Sequence, residues 1–209
     1  MATTTLAATV LAGSPPASAA DGTAYTLGAD QPVQLSCLLG PLGPEPAEIT
    51  AHFTGPASAG RGDTVTLTEF GGTLTLTGFV RAILQAAGID GLRGAADGHS
   101  FDLSLSASAG SLSPPSVTGF TIPETATSAG KGNDPIALPI VPAASSAVSY
   151  SAPGSPGSVS FSTTGNVPGI DDFTFHLQTH YKSSGWQDLL VQCHPTVEIP
   201  DFSPSMTIL

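Results

Sequence analysis

Positive charge is nearly missing from this 209-residue chain: five Lys and Arg stand against 16 Asp and Glu, for a formal net charge of −11. A phosphate backbone repels such a surface, which excludes nucleic acid as an expected partner. An anionic membrane surface repels it in the same way. Charge of either sign is scarce, at 10% of residues, against about 25% in ordinary soluble domains. No apolar run approaches the roughly 20 residues a membrane-spanning helix needs, so no membrane span is expected. No glycine-rich loop carries the Lys-Ser/Thr of a phosphate cradle, and no serine sits in a Gly-x-Ser-x-Gly elbow. Cysteine is held to two residues and tryptophan to one.

What is present is apolar and small. Hydrophobic residues make up 40% of the chain, and Ser, Thr and Gly dominate the rest, which is too much Val, Ile, Leu and Phe for a disordered acidic tail. Acidity in such a chain serves solubility first. Residues 5–13 (TLAATVLAG) form a weak apolar run, and Ala17-Ser18-Ala19 is a small-x-small cleavage signal that makes Ala20 the new N-terminus. Residues 1–19 therefore read as a signal peptide with a clipped start, because no Lys or Arg precedes Ala19. Cys37 and Cys193 then read as one disulfide formed after export, closing a loop of almost the whole domain. The chain-entropy account gives such a loop about 5 kcal/mol.

Alternation runs through the remainder. Val33, Leu35 and Cys37 share one strand face, and residues 49–53 form a short strand. Residues 64–68 and 73–77 alternate Thr with Val or Leu around Gly71-Gly72, as a hairpin or one bent strand. Residues 78–87 break the rule: Phe79, Ile83, Ala86 and Ala87 recur at helical spacing, with Thr77 placed to cap and Gly88 to end a short helix that lids the core. Strands resume at 101–107 and 116–122. Pro139 makes 136–141 an edge. The cleanest strand is 173–181, with Phe173, Phe175, Leu177 and Thr179 on one face and Thr174, His176, Gln178 and His180 on the other. Residues 182–185 turn it into a last strand, 186–193. About nine short strands parted by Gly/Pro/Ser loops predict an all-β, antiparallel two-sheet sandwich, immunoglobulin-like or related, with one short helix. One domain is expected over 20–198, with 199–209 a flexible tail.

Candidate chemistry is sparse. His176 and His180 sit four apart, but on a strand that is about 13 Å, too far for zinc ligands about 2 Å from a shared metal, so no metal or other cofactor is expected. With Gln178 between them they form a polar sheet face and a possible ligand contact. His194 abuts Cys193, but a bridged cysteine is no nucleophile. Trp186 is either a stacking platform for a ligand or a core residue packed on the bridge. Arg61-Gly62-Asp63 reads as a plain turn, and Asp171-Asp172 as solvated turn carboxylates lacking the spacing of a calcium loop.

Several features line up in order. Cys37 is followed by Gly40-Pro41 and Pro44-Glu45, Gly62-Asp63 precedes a threonine-rich strand, and Ala87-Gly88-Ile89 ends the helix. Then come residues 91–96 (GLRGAA), Thr121-Ile122-Pro123, and Val191-Gln192-Cys193-His194-Pro195. From Tyr25 to Pro195 this resembles a family of secreted actinobacterial domains of unknown function. The resemblance implies a two-sheet β-fold with a cysteine near each end, and it implies no activity. The expectation is an exported, non-enzymatic module of the cell envelope that binds a cell-wall component or an extracellular protein. Two rivals remain. A secreted hydrolase would need Asp171, Asp172, His176 and His180 to meet in one cleft. A filament subunit would polymerise through the 136–141 edge, where Pro139 and Pro142 oppose strand addition.

Overall fold

A computed structural model describes residues 22–28, 31–40, 43–142, 146–163 and 173–209. The chain runs β1 (Thr23–Leu27), β2 (Val33–Leu39), β3 (Pro44–Gly55), β4 (Ser58–Ala59), β5 (Thr64–Leu76) and then the helix α1 (Gly78–Ala86). It continues through β6 (Ile89–Gly94), β7 (Phe101–Ala107), β8 (Ser111–Ser113), β9 (Ser116–Thr121), β10 (Thr125–Ala126) and β11 (Ile136–Pro142). The last five strands are β12 (Val148–Ser151), β13 (Gly157–Thr163), β14 (Phe173–Tyr181), β15 (Gly185–Pro195) and β16 (Phe202–Ile208). Among the described residues the protein is all-β with one short helix, as the alternation predicts, and the strands pair antiparallel except β4 with β16.

Hydrogen bonds link neighbours in the order β10-β6-β14-β15-β2-β3-β1-β16-β13-β7-β9-β11-β5-β12-β8, and a further β3–β5 pairing joins the path to itself. From β3 through β1, β16, β13, β7, β9, β11 and β5 the circuit closes; β2, β15, β14, β6 and β10 form a wing attached to β3, β12 and β8 a branch on β5, and β4 pairs with β16.

Several expectations change in detail. The segment around Gly71-Gly72 is no hairpin turn but the middle of the bent strand β5. A Cβ on Gly72 would come within 2.4 Å of the Thr50 carbonyl oxygen, so β3 approaches too closely for any other residue. The 136–141 segment is an edge only in part: β11 pairs with β5 alone over Ile136–Ile140, where Pro139 stands, and gains β9 as a second neighbour at Val141 and Pro142. The expected flexible tail is ordered as β16, which pairs with β1, β13 and β4 and buries Phe202, Met206 and Ile208. Three apolar side chains spaced through that segment find a face to cover, and the sequence alone does not show which strands provide it.

The helix forms as expected. The Thr77 side chain accepts a hydrogen bond from the Val80 N–H, and Gly88 follows the last turn at φ 77°. Its buried face differs from the expected one, being Val80, Arg81 and Leu84, while Phe79 is 62% exposed. Arg81 is the reason. Its guanidinium donates to the carbonyls of Thr127, Asp134 and Pro135, strapping the glycine-rich 127–135 segment against the helix. A buried cation is tolerated when carbonyl oxygens take its protons.

Two aromatic clusters fill much of the interior. Phe53 contacts Tyr25 at 4.9 Å, Phe202 at 5.0 Å, and Phe70 and Phe161 at 5.4 Å each. Phe101 stacks on Phe175 at 4.8 Å and meets Phe120 and Phe173 at 6.0 and 6.1 Å.

Candidate functional site

The wing brings three of the four singled-out side chains together on its outer face. In register, Arg93 of β6, Gln178 of β14 and Asp188 of β15 form one row, and Gly91, His180 and Trp186 form the next. Arg93 Nε donates to Gln178 Oε1 at 2.9 Å, and Gln178 Nε2 donates to Asp188 Oδ1 at 2.8 Å. Trp186 is half-buried on this face, not packed in the core on the bridge. The Arg93 guanidinium lies 4.0 Å over its ring, a cation–π contact. The His180 ring is 5.0 Å away, and a Cβ at Gly91 would stand 3.2 Å from the indole. Trp186 is thus held by its own neighbours as a cross-strand brace.

His180 Nδ1 meets Asp90 Oδ1 at 2.6 Å, both side chains being 36% exposed. A carboxylate only accepts, so Nδ1 carries the proton. This hydrogen bond is the main reason the Asp90 carboxyl sits below its ordinary pKa, with the charge of Lys182 a lesser one. His176 lies on the same face, opposite Leu190, one row beyond Gln178. It lines a shallow depression with Asp97, Gln178 and Asp188, and His180 is not among the residues that line it. His176 and His180 therefore do not share a centre, and among the described residues no three His, Cys, Asp or Glu side chains cluster to hold a metal. Asp171 and Asp172 lie outside the described residues, as does the 1–19 segment.

Cys37 and Cys193 form the expected disulfide, directly opposed across β2 and β15 and fully buried, 156 positions apart in sequence. Cys193 is therefore no nucleophile for His194. Arg61-Gly62-Asp63 is a turn: the Gly60 N–H donates to Asp63 Oδ2 at 2.9 Å, and Arg61 Nε donates to the Leu209 carbonyl at 3.1 Å.

The inner face of the wing holds what the sequence reading missed. Between α1 and the strands lies a cavity of 490 Å³, within the roughly 300–1,000 Å³ of small-molecule pockets. The helix supplies Ile83, Leu84 and, just past its end, Ala87. The floor is Ile89 and Leu92 of β6 with Leu177, Thr179 and Tyr181 of β14. Leu39, Gly40 and Leu76 close one side, and Gln187–Leu190 of β15 form the rim. The Thr179 hydroxyl is turned to the Gln187 carbonyl at 3.4 Å, which leaves the floor apolar. The signal in the sequence was the adjacent apolar pair Ile83 and Leu84, with small Ala86 and Ala87 after it.

Residues 34–196 match a family of unknown function. No curated protein and no solved structure matches the chain.

Proposed function

The chain belongs to that family of unknown function, DUF6801, and we propose that it is an exported, disulfide-clasped β module that binds rather than catalyses, with the cavity beneath α1 as its ligand site. The observation that carries this reading is the 490 Å³ apolar space in which, among the described residues, Tyr181 is the one ionisable side chain on the inner face, the carboxylate of the rim residue Asp188 being held on the outer face by Gln178. Such a lining supports burial of an apolar ligand and offers no acid–base pair set across a reacting bond. Export follows from the leader-like 1–19 segment and from the cysteine pair, since buried bridges persist in oxidising compartments. The site of action in this reading is the envelope of an actinobacterium. The closed strand circuit and the wing are read as the two layers of an immunoglobulin-like sandwich.

The test is a titration of the oxidised protein with the neutral fluorescent probe N-phenyl-1-naphthylamine. Saturable enhancement that is lost in Ile83→Trp, which fills the space from the helix side, supports the reading. No enhancement, or enhancement indifferent to Ile83→Trp, overturns it. Export is tested separately by the mass of the secreted product, which begins at Ala20 in this account.

A further inference from the structure

Resting on the cavity reading above, we propose that the ligand is an uncharged lipid alcohol, its apolar body in the cavity and its hydroxyl at the hairpin end, between Tyr181 and Gln187. The charged side chains of α1, β6 and β15, which enclose the space, are all engaged elsewhere. On α1, the Arg81 guanidinium donates to the carbonyls of Thr127, Asp134 and Pro135. On β6, Asp90 meets His180, and Arg93 meets Gln178 and lies over Trp186, all at the outer face. On β15, Gln178 holds the Asp188 carboxylate on that same outer face. No Lys, Arg or His lines the cavity, and Lys182, next in sequence to Tyr181, does not reach it. An ion drawn into the space would give up its water and find no partner, which is costly. A neutral ligand meets no such cost.

The polar groups that do line the inner face are neutral, and two of them stand at one end. Tyr181 follows Leu177 and Thr179 on that face of β14, and Gln187 is the cross-strand partner of Thr179, so it shares the face. Thr179 turns its hydroxyl to the Gln187 carbonyl at 3.4 Å. Gln187 Nε2 donates to Ser184 Oγ at 2.9 Å, which ties the amide to the hairpin turn. A phenol both donates and accepts, and an amide oxygen accepts, so together they satisfy one hydroxyl. Farther from the turn the lining is Leu39, Leu76, Leu177 and Leu189, which suits the apolar body. At about 30 Å³ for each water-sized unit, the 490 Å³ space holds on the order of 15 non-hydrogen atoms. The alcohol 1-decanol fits within it.

The experiment displaces N-phenyl-1-naphthylamine from the oxidised full chain with 1-decanol, decanoate and decyltrimethylammonium, each below its solubility or micelle limit. The alcohol is expected to bind about tenfold tighter than either ion. Tyr181→Phe keeps the apolar wall and removes the phenol hydroxyl. It is expected to weaken the alcohol about fivefold and to leave the probe bound as before, which reports an intact cavity. If the probe binds but either ion matches or beats the alcohol, the assignment of an uncharged ligand falls while the cavity reading stands. If Tyr181→Phe leaves the alcohol's affinity unchanged, or weakens probe and alcohol equally, the placement of the hydroxyl at the hairpin end falls. If the probe does not bind at all, both readings fall together.

Discussion

The two halves of β14 present the same face to the interior and meet opposite fates. Phe173 and Phe175 stack against Phe101 and leave no space between them. Leu177, Thr179 and Tyr181, the next three residues on that face, line an open cavity. Strand geometry is common to both halves, so what differs is side-chain volume on β14 and on the element opposite. The filled half faces a phenylalanine cluster on β7 and β9, whereas the open half faces a helix of nine residues whose Arg81 anchors it to the 127–135 carbonyls. A packed core on one side and a ligand-sized space on the other can therefore be built by a change of residue type along a single strand.

Truncation attacks the filled half hardest. Phe175→Ala removes a fully buried ring stacked at 4.8 Å on Phe101, with an expected loss of about 3–5 kcal/mol in denaturant unfolding. The same cut at Leu189, half-buried at the cavity, is expected to fall below that range, because no tight packing surrounds it. If the two losses are equal, the contrast is wrong. Removing the bridge with Cys37→Ala and Cys193→Ala comes next, at about 2–5 kcal/mol. Cys193 pairs in register with Phe173, so hydrogen exchange should rise first at that end of the β14–β15 hairpin.

Enlargement reverses the order. Val191→Phe, opposite Phe175 and fully buried, is expected to cost about 1–3 kcal/mol by overpacking. Leu177→Phe grows into the cavity and is expected to be neutral or to stabilise by up to about 2 kcal/mol, while weakening probe binding. The smallest effect belongs to the outer face. Asp90 has a lowered carboxyl pKa in the fold, so the unfolded chain binds more protons there than the native one. Its contribution is complete above the ordinary value of 3.8 and is lost as pH falls through the lower folded value. His180→Gln should flatten the acid limb of the stability curve below pH 3.8 and leave the neutral limb alone; an unchanged acid limb would dismiss the pair.

Much of this contrast was legible locally, and the decisive part was not. Strict alternation over 173–181 gives the strand and its inward face, and the two cysteines give their bridge. Alternation says which way Leu177 and Thr179 point, but not what stands across from them. That depends on α1, whose rotation is set by carbonyls at 127, 134 and 135, remote in sequence. Gly71-Gly72 reads as a turn until β3 is known to lie against it. The residues after 199 read as a tail because their partners, β1, β4 and β13, are scattered along the chain. At the outer face, His180 and Gln178 were visible as a polar row, whereas Arg93 and Asp90 joined them only through the β6 register.

The first described strand and the last are neighbours, with Thr26 set against Ser203. That pairing imposes an order in time. Until the final segment arrives, β1 and β13 both stand with a bare edge, and no local contact can substitute for it. Contacts so distant along the chain form slowly, because loop-closure entropy opposes them before any burial rewards them. Until β16 is in place, the circuit of strands therefore stands open between β1 and β13, and the burial of Phe202, Met206 and Ile208 is still to be gained.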